Sequence, residues 1–199
     1  MTKIIGLTGG IATGKSTVAK MFIEEKIPVI SADDISRKLA EKGKAAYEKI
    51  VSRFGSEILL ATGNINRKKL GEIIFADEKK RGILNSVIHP LVKKEIAKEI
   101  KLHKAAGTKF VALDVPLLYE CEYDEICDMV TVVFTDENTQ LHRLMKRDNL
   151  SRENAKKRVD AQMSLREKID RAHFKIDNSL SILETKNQFN KLLEYIQRL

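Results

Sequence analysis

Tryptophan is absent from this chain and cysteine is scarce, with 2 among 199 residues. Cys121 and Cys127 are too few for a disulfide framework and too isolated for a zinc cluster, so they read as ordinary thiols. Proline numbers only 3 and no low-complexity stretch occurs; with 43% hydrophobic residues this excludes the disordered class. No apolar run approaches the ~20 residues that span a bilayer, so no membrane partner is expected. The opening residues lack a basic, apolar, small-residue secretory pattern, and the expectation is a cytoplasmic protein. Aromatics make up 6% of the chain, and few interleave with the basic run 143–171, which argues against single-strand binding by base stacking. No N-K-x-D segment is present, against a guanine-specific switch. What remains is a chain long enough for one compact domain with a sizeable core.

Against these absences stands one strong motif. Gly9-Gly10-Ile11-Ala12-Thr13-Gly14-Lys15-Ser16 matches the phosphate-loop pattern G-x-x-x-x-G-K-[ST] in full. Gly9 and Gly14 let the backbone turn tightly, with N–H groups pointing inward at a polyphosphate, and Gly10, Ile11, Ala12, Thr13, Gly14 and Thr17 are expected to bind it together with Lys15 and Ser16. Lys15 reaches the outer phosphates and the Ser16 hydroxyl suits Mg²⁺. The setting agrees, because Ile4-Ile5-Gly6-Leu7-Thr8 reads as a buried strand before the loop. Thr17 to Phe22 continues as an amphipathic helix whose N-terminus would face the phosphates. The implied ligand is a nucleoside triphosphate.

Four further apolar runs read as strands: Pro28-Val29-Ile30, Lys109 to Asp114, Met129 to Phe134, and Phe174-Lys175-Ile176. Helical patterns of ten or more residues separate them, which predicts an α/β fold with a five-stranded parallel sheet of the P-loop hydrolase kind. The last helix shows an apolar stripe at Ile182, Leu183, Phe189, Leu192, Leu193 and Ile196, spaced to cover one sheet face. Two segments depart from the alternation. Residues 34–106 read as helices broken at Gly43, Phe54-Gly55 and Gly63-Asn64. Residues 143–171 form a charged helical segment with 10 Lys or Arg against 5 acidic residues and a helix start at Ser151. The expected organisation is one domain with a core of 1–33, 107–142 and 173–199, a helical acceptor-binding arm over 34–106 and a lid over 143–172. The formal charge of +8 suits polyanionic substrates as well as nucleic acid, and most of the lysines suit plain solvated surface.

Beyond the loop, phosphoryl transfer asks for a group to take the acceptor proton and for charge neutralisation. Asp33, just past the second strand, sits where an open α/β sheet builds its site; Asp33 or Asp34 would equally cap a helix starting at Ile35. Asp114 ends the third strand, as the acid that meets Mg²⁺ through water does, or as a plain turn residue. Arg143 and Arg147 share a helix face at i, i+4, to neutralise a transferring phosphoryl group or simply to form a solvated basic face. His89-Pro90 reads as a turn entering a helix with Pro90 at its first position.

Taken in order, these residues resemble the dephospho-CoA kinase family. The likeness runs from Ile5-Gly6-Leu7-Thr8-Gly9-Gly10-Ile11 and Gly14-Lys15-Ser16-Thr17 through Val29-Ile30-Ser31-Ala32-Asp33, Ile88-His89-Pro90-Leu91 and Val115 to Glu120. It continues through Gln140 to Asp148, Ala161-Gln162-Met163 and Ile176-Asp177-Asn178. The resemblance implies ATP as co-substrate, Mg²⁺ and dephospho-CoA as acceptor. It implies that Asp33 is the base for the ribose 3′-hydroxyl, that Lys15 and Arg143 act in transfer, and that Arg143 and Arg147 close over ATP. It places Asn178 near the adenine, and Thr8, Asp33, Arg37, His89 and Leu117 at the acceptor, with 34–106 as the CoA-binding arm. Ser31 replaces the family's first aspartate there, and Ala12-Thr13 stand where the family often has Gly-Ser. The competing expectations are a kinase for nucleoside monophosphates or a similar small acceptor, and a nucleotide switch or nucleic-acid-dependent ATPase. Oligomeric state stays open between a monomer and a homo-oligomer.

Overall fold

The computed structural model describes residues 1–198. Five strands, β1 (Lys3–Gly9), β2 (Val29–Ser31), β3 (Phe110–Asp114), β4 (Met129–Phe134) and β5 (Phe174–Asp177), form one sheet in the order β2-β3-β1-β4-β5. β1 pairs in parallel with β3 on one side and β4 on the other, and β4 pairs in parallel with β5. Near-continuous burial along β1 and β4 is what a parallel sheet covered on both faces requires. Strand order reverses on the two sides of β1, so the loop after β1 lies where such sheets bind ligands.

The chain divides into two compact units, residues 1–30 with 103–199, and residues 31–102. In the first, α1 (Lys15–Glu24) follows the phosphate loop and α9 (Ile182–Ile196) closes the chain. Their apolar faces meet over the sheet in a core of Ile5, Leu7, Val18, Phe22, Val133 and Phe189, among others. Phe22 and Phe189 stack edge to face at 4.9 Å, a geometry the ring quadrupoles favour. α6 (Glu137–Asp148), α7 (Arg152–Asp160) and α8 (Leu165–Arg171) follow β4. Asp136, Ser151 and Ser164 cap them, each side chain accepting the backbone N–H three residues on.

The expected stripe on α9 is shortened at its start. Phe189, Leu192 and Ile196 are buried, whereas Ile182 and Leu183 are 61% and 64% exposed. The first turn is occupied by a capping box between Ser181 and Glu184, and the buried face begins only at Thr185, whose hydroxyl is held by Asn178 and Ser181.

The second unit comprises α2 (Ala32–Leu39), α3 (Tyr47–Phe54), a 3₁₀ turn at Ser56–Ile58, α4 (Arg67–Ala76) and most of α5 (Glu78–Ala105). Its own core gathers Ala46, Ile50, Phe54, Ile58, Leu70 and Leu84. Here the helix expected to start at Pro90 is corrected, because α5 runs straight through with Pro90 inside it. A proline in mid-helix removes one hydrogen bond and crowds the preceding turn. The helix continues because buried positions lie on both sides of it, Leu84 before and Val92, Ile96 and Ile100 after.

Candidate active site

The phosphate loop is braced from four directions within the first unit. Thr13 is wholly buried, and both its N–H and its hydroxyl donate to the Gly10 carbonyl, at 3.3 and 2.9 Å. The Thr13 carbonyl accepts from Asn178 Nδ2 at 2.8 Å, while Asn178 Oδ1 accepts the Thr185 hydroxyl. Gly14 has φ +92°, and any Cβ there would collide with the Asn178 amide, so glycine is demanded twice over. The Ile11 N–H donates to Gln162 Oε1 at 3.0 Å and the Ile11 carbonyl accepts from Gln140 Nε2 at 2.8 Å. Ala12 sits at φ 60°, a left-handed backbone that the loop holds without a glycine.

Lys15, at the start of α1, pairs with Asp114 at the end of β3. Both side chains are largely shielded, at 14% and 13% exposure. Ser16 is exposed, and its hydroxyl makes no hydrogen bond among the described residues. No cluster of three or more His, Cys, Asp or Glu with metal-binding geometry occurs among the described residues. The segment after β3 is pinned from below. Thr8, wholly buried on β1, donates its hydroxyl to the Pro116 carbonyl at 3.0 Å, and Leu117 follows, half-buried.

Sequence reasoning counted Lys168 among the charges of a basic segment, but its side chain is fully buried. Its Nζ donates to the Pro116 carbonyl at 2.8 Å and pairs with Glu120 at 2.9 Å, and Glu120 Oε1 also accepts the Met163 N–H. An unpaired ammonium would be costly here, so this trio ties α8 to the segment that carries Asp114. The pattern offered one signal, a lysine at the apolar-face spacing of a short helix. Gln140 and Gln162 were also missed, because their bonds to Ile11 span 129 and 151 residues.

Arg143 and Arg147 both lie on α6. Arg143 is half-buried, and its guanidinium makes no hydrogen bond or ion pair among the described residues. Arg147 donates to Asp148, which also pairs with Arg158 at 2.7 Å. These partners, the Arg147 hydrogen bond first, hold the Asp148 carboxyl below its usual range. Among the described residues, six of the ten basic residues in 143–171 are ion-paired, namely Arg147, Lys156, Lys157, Arg158, Lys168 and Arg171. Beside Gly10 a cleft of about 360 Å³ opens, lined by Gln140, Lys156, Gln162 and Arg166 among others. Burial pushes the Cys127 thiol up to about 12, the thiol donating to the Tyr123 carbonyl; this fits a structural thiol rather than a nucleophile.

Asp33, Arg37 and His89 belong to the second unit. Ser31 caps α2, accepting the Asp34 N–H at 3.2 Å. The capping role considered for Asp33 or Asp34 is thereby corrected: the helix starts at Ala32, not Ile35, and both aspartates lie in its first turn. A carboxylate there is stabilised by the helix dipole without any capping bond. Asp33 is exposed and unpartnered among the described residues, whereas Arg37 pairs with Asp34 at 3.5 Å. His89 is half-buried on α5, and burial lowers its pKa.

The sheet order, the phosphate loop and the paired lysine define a P-loop kinase. A family model for dephospho-CoA kinase matches residues 3–184. Dephospho-CoA kinases of Bacillus licheniformis and Listeria monocytogenes are 50% and 45% identical, over 98% and 100% of this chain and 96% and 98% of theirs. The chain belongs to the dephospho-CoA kinase family. Among solved structures, the dephospho-CoA kinase of Campylobacter jejuni superposes with a TM-score of 0.73 at 32% identity, covering 100% of this chain and 98% of that one. A structure from Thermus thermophilus reaches 0.79 at 28% identity, covering 98% and 97%.

Proposed function

We propose that this chain transfers the γ-phosphoryl group of ATP to the ribose 3′-hydroxyl of dephospho-CoA, giving CoA and ADP, in the cytoplasm. The observation that carries the reading is the family match along nearly the whole chain, joined to a complete phosphate loop with Lys15 in place. The β- and γ-phosphates would take the Lys15 ammonium from Asp114. Mg²⁺ is usually held by one or two protein groups together with substrate phosphates; the unpartnered Ser16 hydroxyl and, through water, the Asp114 carboxylate meet that need. Bound there, the ion would neutralise charge developing on the phosphates.

Asp33 would accept the proton of the 3′-hydroxyl as its oxygen bonds to the γ-phosphorus and the β–γ bridging oxygen departs on ADP. Its exposure and lack of a partner suit a group that must meet a substrate. Arg143 would stabilise the transferring phosphoryl group, an effect of roughly 10³–10⁵ in rate for a well-placed arginine. Arg147 would join it over ATP, Asn178 would hold the loop near the adenine, and 143–172 would close as a lid. Residues 34–106 would bind the acceptor, with Arg37, His89 and Leu117 lining it and Thr8 holding Pro116 beside Leu117. Support comes from charge: residues 31–102 carry 16 Lys and Arg against 10 Asp and Glu, a net +6 of the chain's +8, which favours a pyrophosphate-bearing acceptor. No nucleic-acid partner is invoked.

The test is Mg²⁺-ATP with a panel of acceptors, on wild type and Asp33→Asn. Conversion of dephospho-CoA to CoA is expected, and Asp33→Asn should lower kcat by about 10²–10⁴, the usual worth of a general base, with ATP affinity held. Transfer only to nucleoside monophosphates, or near-normal turnover by the variant, would overturn the reading.

A further inference from the structure

Ile11, at the apex of the phosphate loop, has both polar groups of its backbone taken by side-chain amides. Gln140 Nε2 donates to its carbonyl at 2.8 Å, and Gln162 Oε1 accepts its N–H at 3.0 Å. The two glutamines are not neighbours. Gln140 lies on α6, 3% exposed, and Gln162 lies just beyond α7. Between them the chain runs out through the rest of α6 and α7 and returns to the same loop residue. The apolar side chains of Ile11 and Ala12 also pack against Leu141, Leu144 and Ala155 from that segment. The amide orientations are unambiguous here, since a backbone C=O only accepts and a backbone N–H only donates.

A second observation concerns Gly10, a variable position of the loop pattern. Its φ is not positive, yet a Cβ there would stand 2.6 Å from Gln140 Nε2. The glycine is what admits the Gln140 amide to the loop. Arg143 follows Gln140 by three residues and therefore shares its helix face.

We propose that Gln140 and Gln162 are positioning residues. Together they form a strap that fastens both ends of the arginine-bearing segment to the apex of the phosphate loop and so sets the register at which α6 presents Arg143 to the transferring phosphate. This rests on the proposed role of Arg143. A displacement of about 1 Å in a group that acts in the transition state can cost about 10²-fold in rate. The strap therefore acts on kcat more than on nucleotide affinity.

The two bonds have opposite polarity, which supplies the test. Gln140→Met and Gln162→Met keep side-chain bulk and remove the bonds; each should lower kcat by about 10–100-fold with MgAMPPNP affinity, read by calorimetry, within about threefold. Gln162→Glu keeps an acceptor for the Ile11 N–H and should recover kcat relative to Gln162→Met. Gln140→Glu cannot donate to the Ile11 carbonyl and should not recover. Gly10→Ala should reproduce the Gln140→Met loss. A purely packing role would treat the two glutamates alike, and equal behaviour of the Glu variants, or wild-type kcat in Gln140→Met, would overturn the proposal. Amide hydrogen exchange at Ile11 supplies a readout that needs no acceptor. Exchange should quicken in Gln162→Met and stay slow in Gln162→Glu, and unchanged protection in Gln162→Met sinks the strap even if dephospho-CoA proves to be the wrong substrate. Failure of wild type to phosphorylate dephospho-CoA would instead count against the functional reading alone.

Discussion

Asn178 shows how a single side-chain amide can brace a phosphate loop from behind. It is 8% exposed, and its Nδ2 and Oδ1 are both engaged, by the Thr13 carbonyl and the Thr185 hydroxyl. It also lies against the bare Cα of Gly14, where no side chain fits. Asn178→Ala would strand the Thr13 carbonyl, at a cost of about 1–3 kcal/mol, while the Thr185 hydroxyl keeps its bond to the Ser181 carbonyl. For a chain of this size that is about 2–4 °C in melting temperature per kcal/mol. Thermal unfolding of the nucleotide-free protein checks this. A variant that melts like wild type but binds ATP poorly would return Asn178 to a role at the adenine alone. The resemblance placed this residue at the adenine; the bonds to Thr13 and Thr185 connect residues 165 and 7 positions apart, and no periodicity encodes the first of them.

At the scale of elements, the strands were legible because each is a short, largely apolar run, and the three central ones are buried nearly completely on both faces, the edge strands β2 and β5 only in part. The phosphate loop was legible because its pattern is local and its flanks read as strand and helix. What escaped was decided by tertiary packing. Pro90 lies inside α5 because burial before and after it outweighs the local helix-starting preference of proline. Ser31 was read as a lost aspartate, yet it is the cap that fixes where α2 begins. On α9 the apolar letters at 182 and 183 continue the stripe in sequence but not in space, since the capping box occupies that turn. This difference is measurable. Leu192→Ala should cost about 2–5 kcal/mol, whereas Leu183→Ala should stay within about 0.5 kcal/mol of wild type, as exposed substitutions do. Urea unfolding of both variants decides it, and a comparable loss at both positions would restore the longer stripe.

For the whole molecule the informative quantity is where the charge sits. The larger unit holds the phosphate loop, but its basic segment is mostly neutralised by its own acids, through Asp148, Glu120, Asp124 and others. The smaller unit, residues 31–102, carries most of the net positive charge, and its 390 Å³ groove between α3 and α5 is edged by Lys49 and Arg53. If that unit receives the acceptor, as proposed, attraction for a pyrophosphate is a field effect and must be screened by salt. The Debye length falls from about 10 Å at 0.1 M to about 3 Å at 1 M. Across that range KM for dephospho-CoA is expected to rise several-fold while kcat changes by less than about twofold. KM for ATP should rise less, because on the proposed reading its phosphates would meet backbone amides and Lys15 at short range in a braced loop, where screening is weaker. Steady-state kinetics at graded ionic strength, with the other substrate saturating, separates the two constants. Equal salt sensitivity of both would assign the attraction to the chain's overall charge, and a flat acceptor profile would remove the positive unit from acceptor binding.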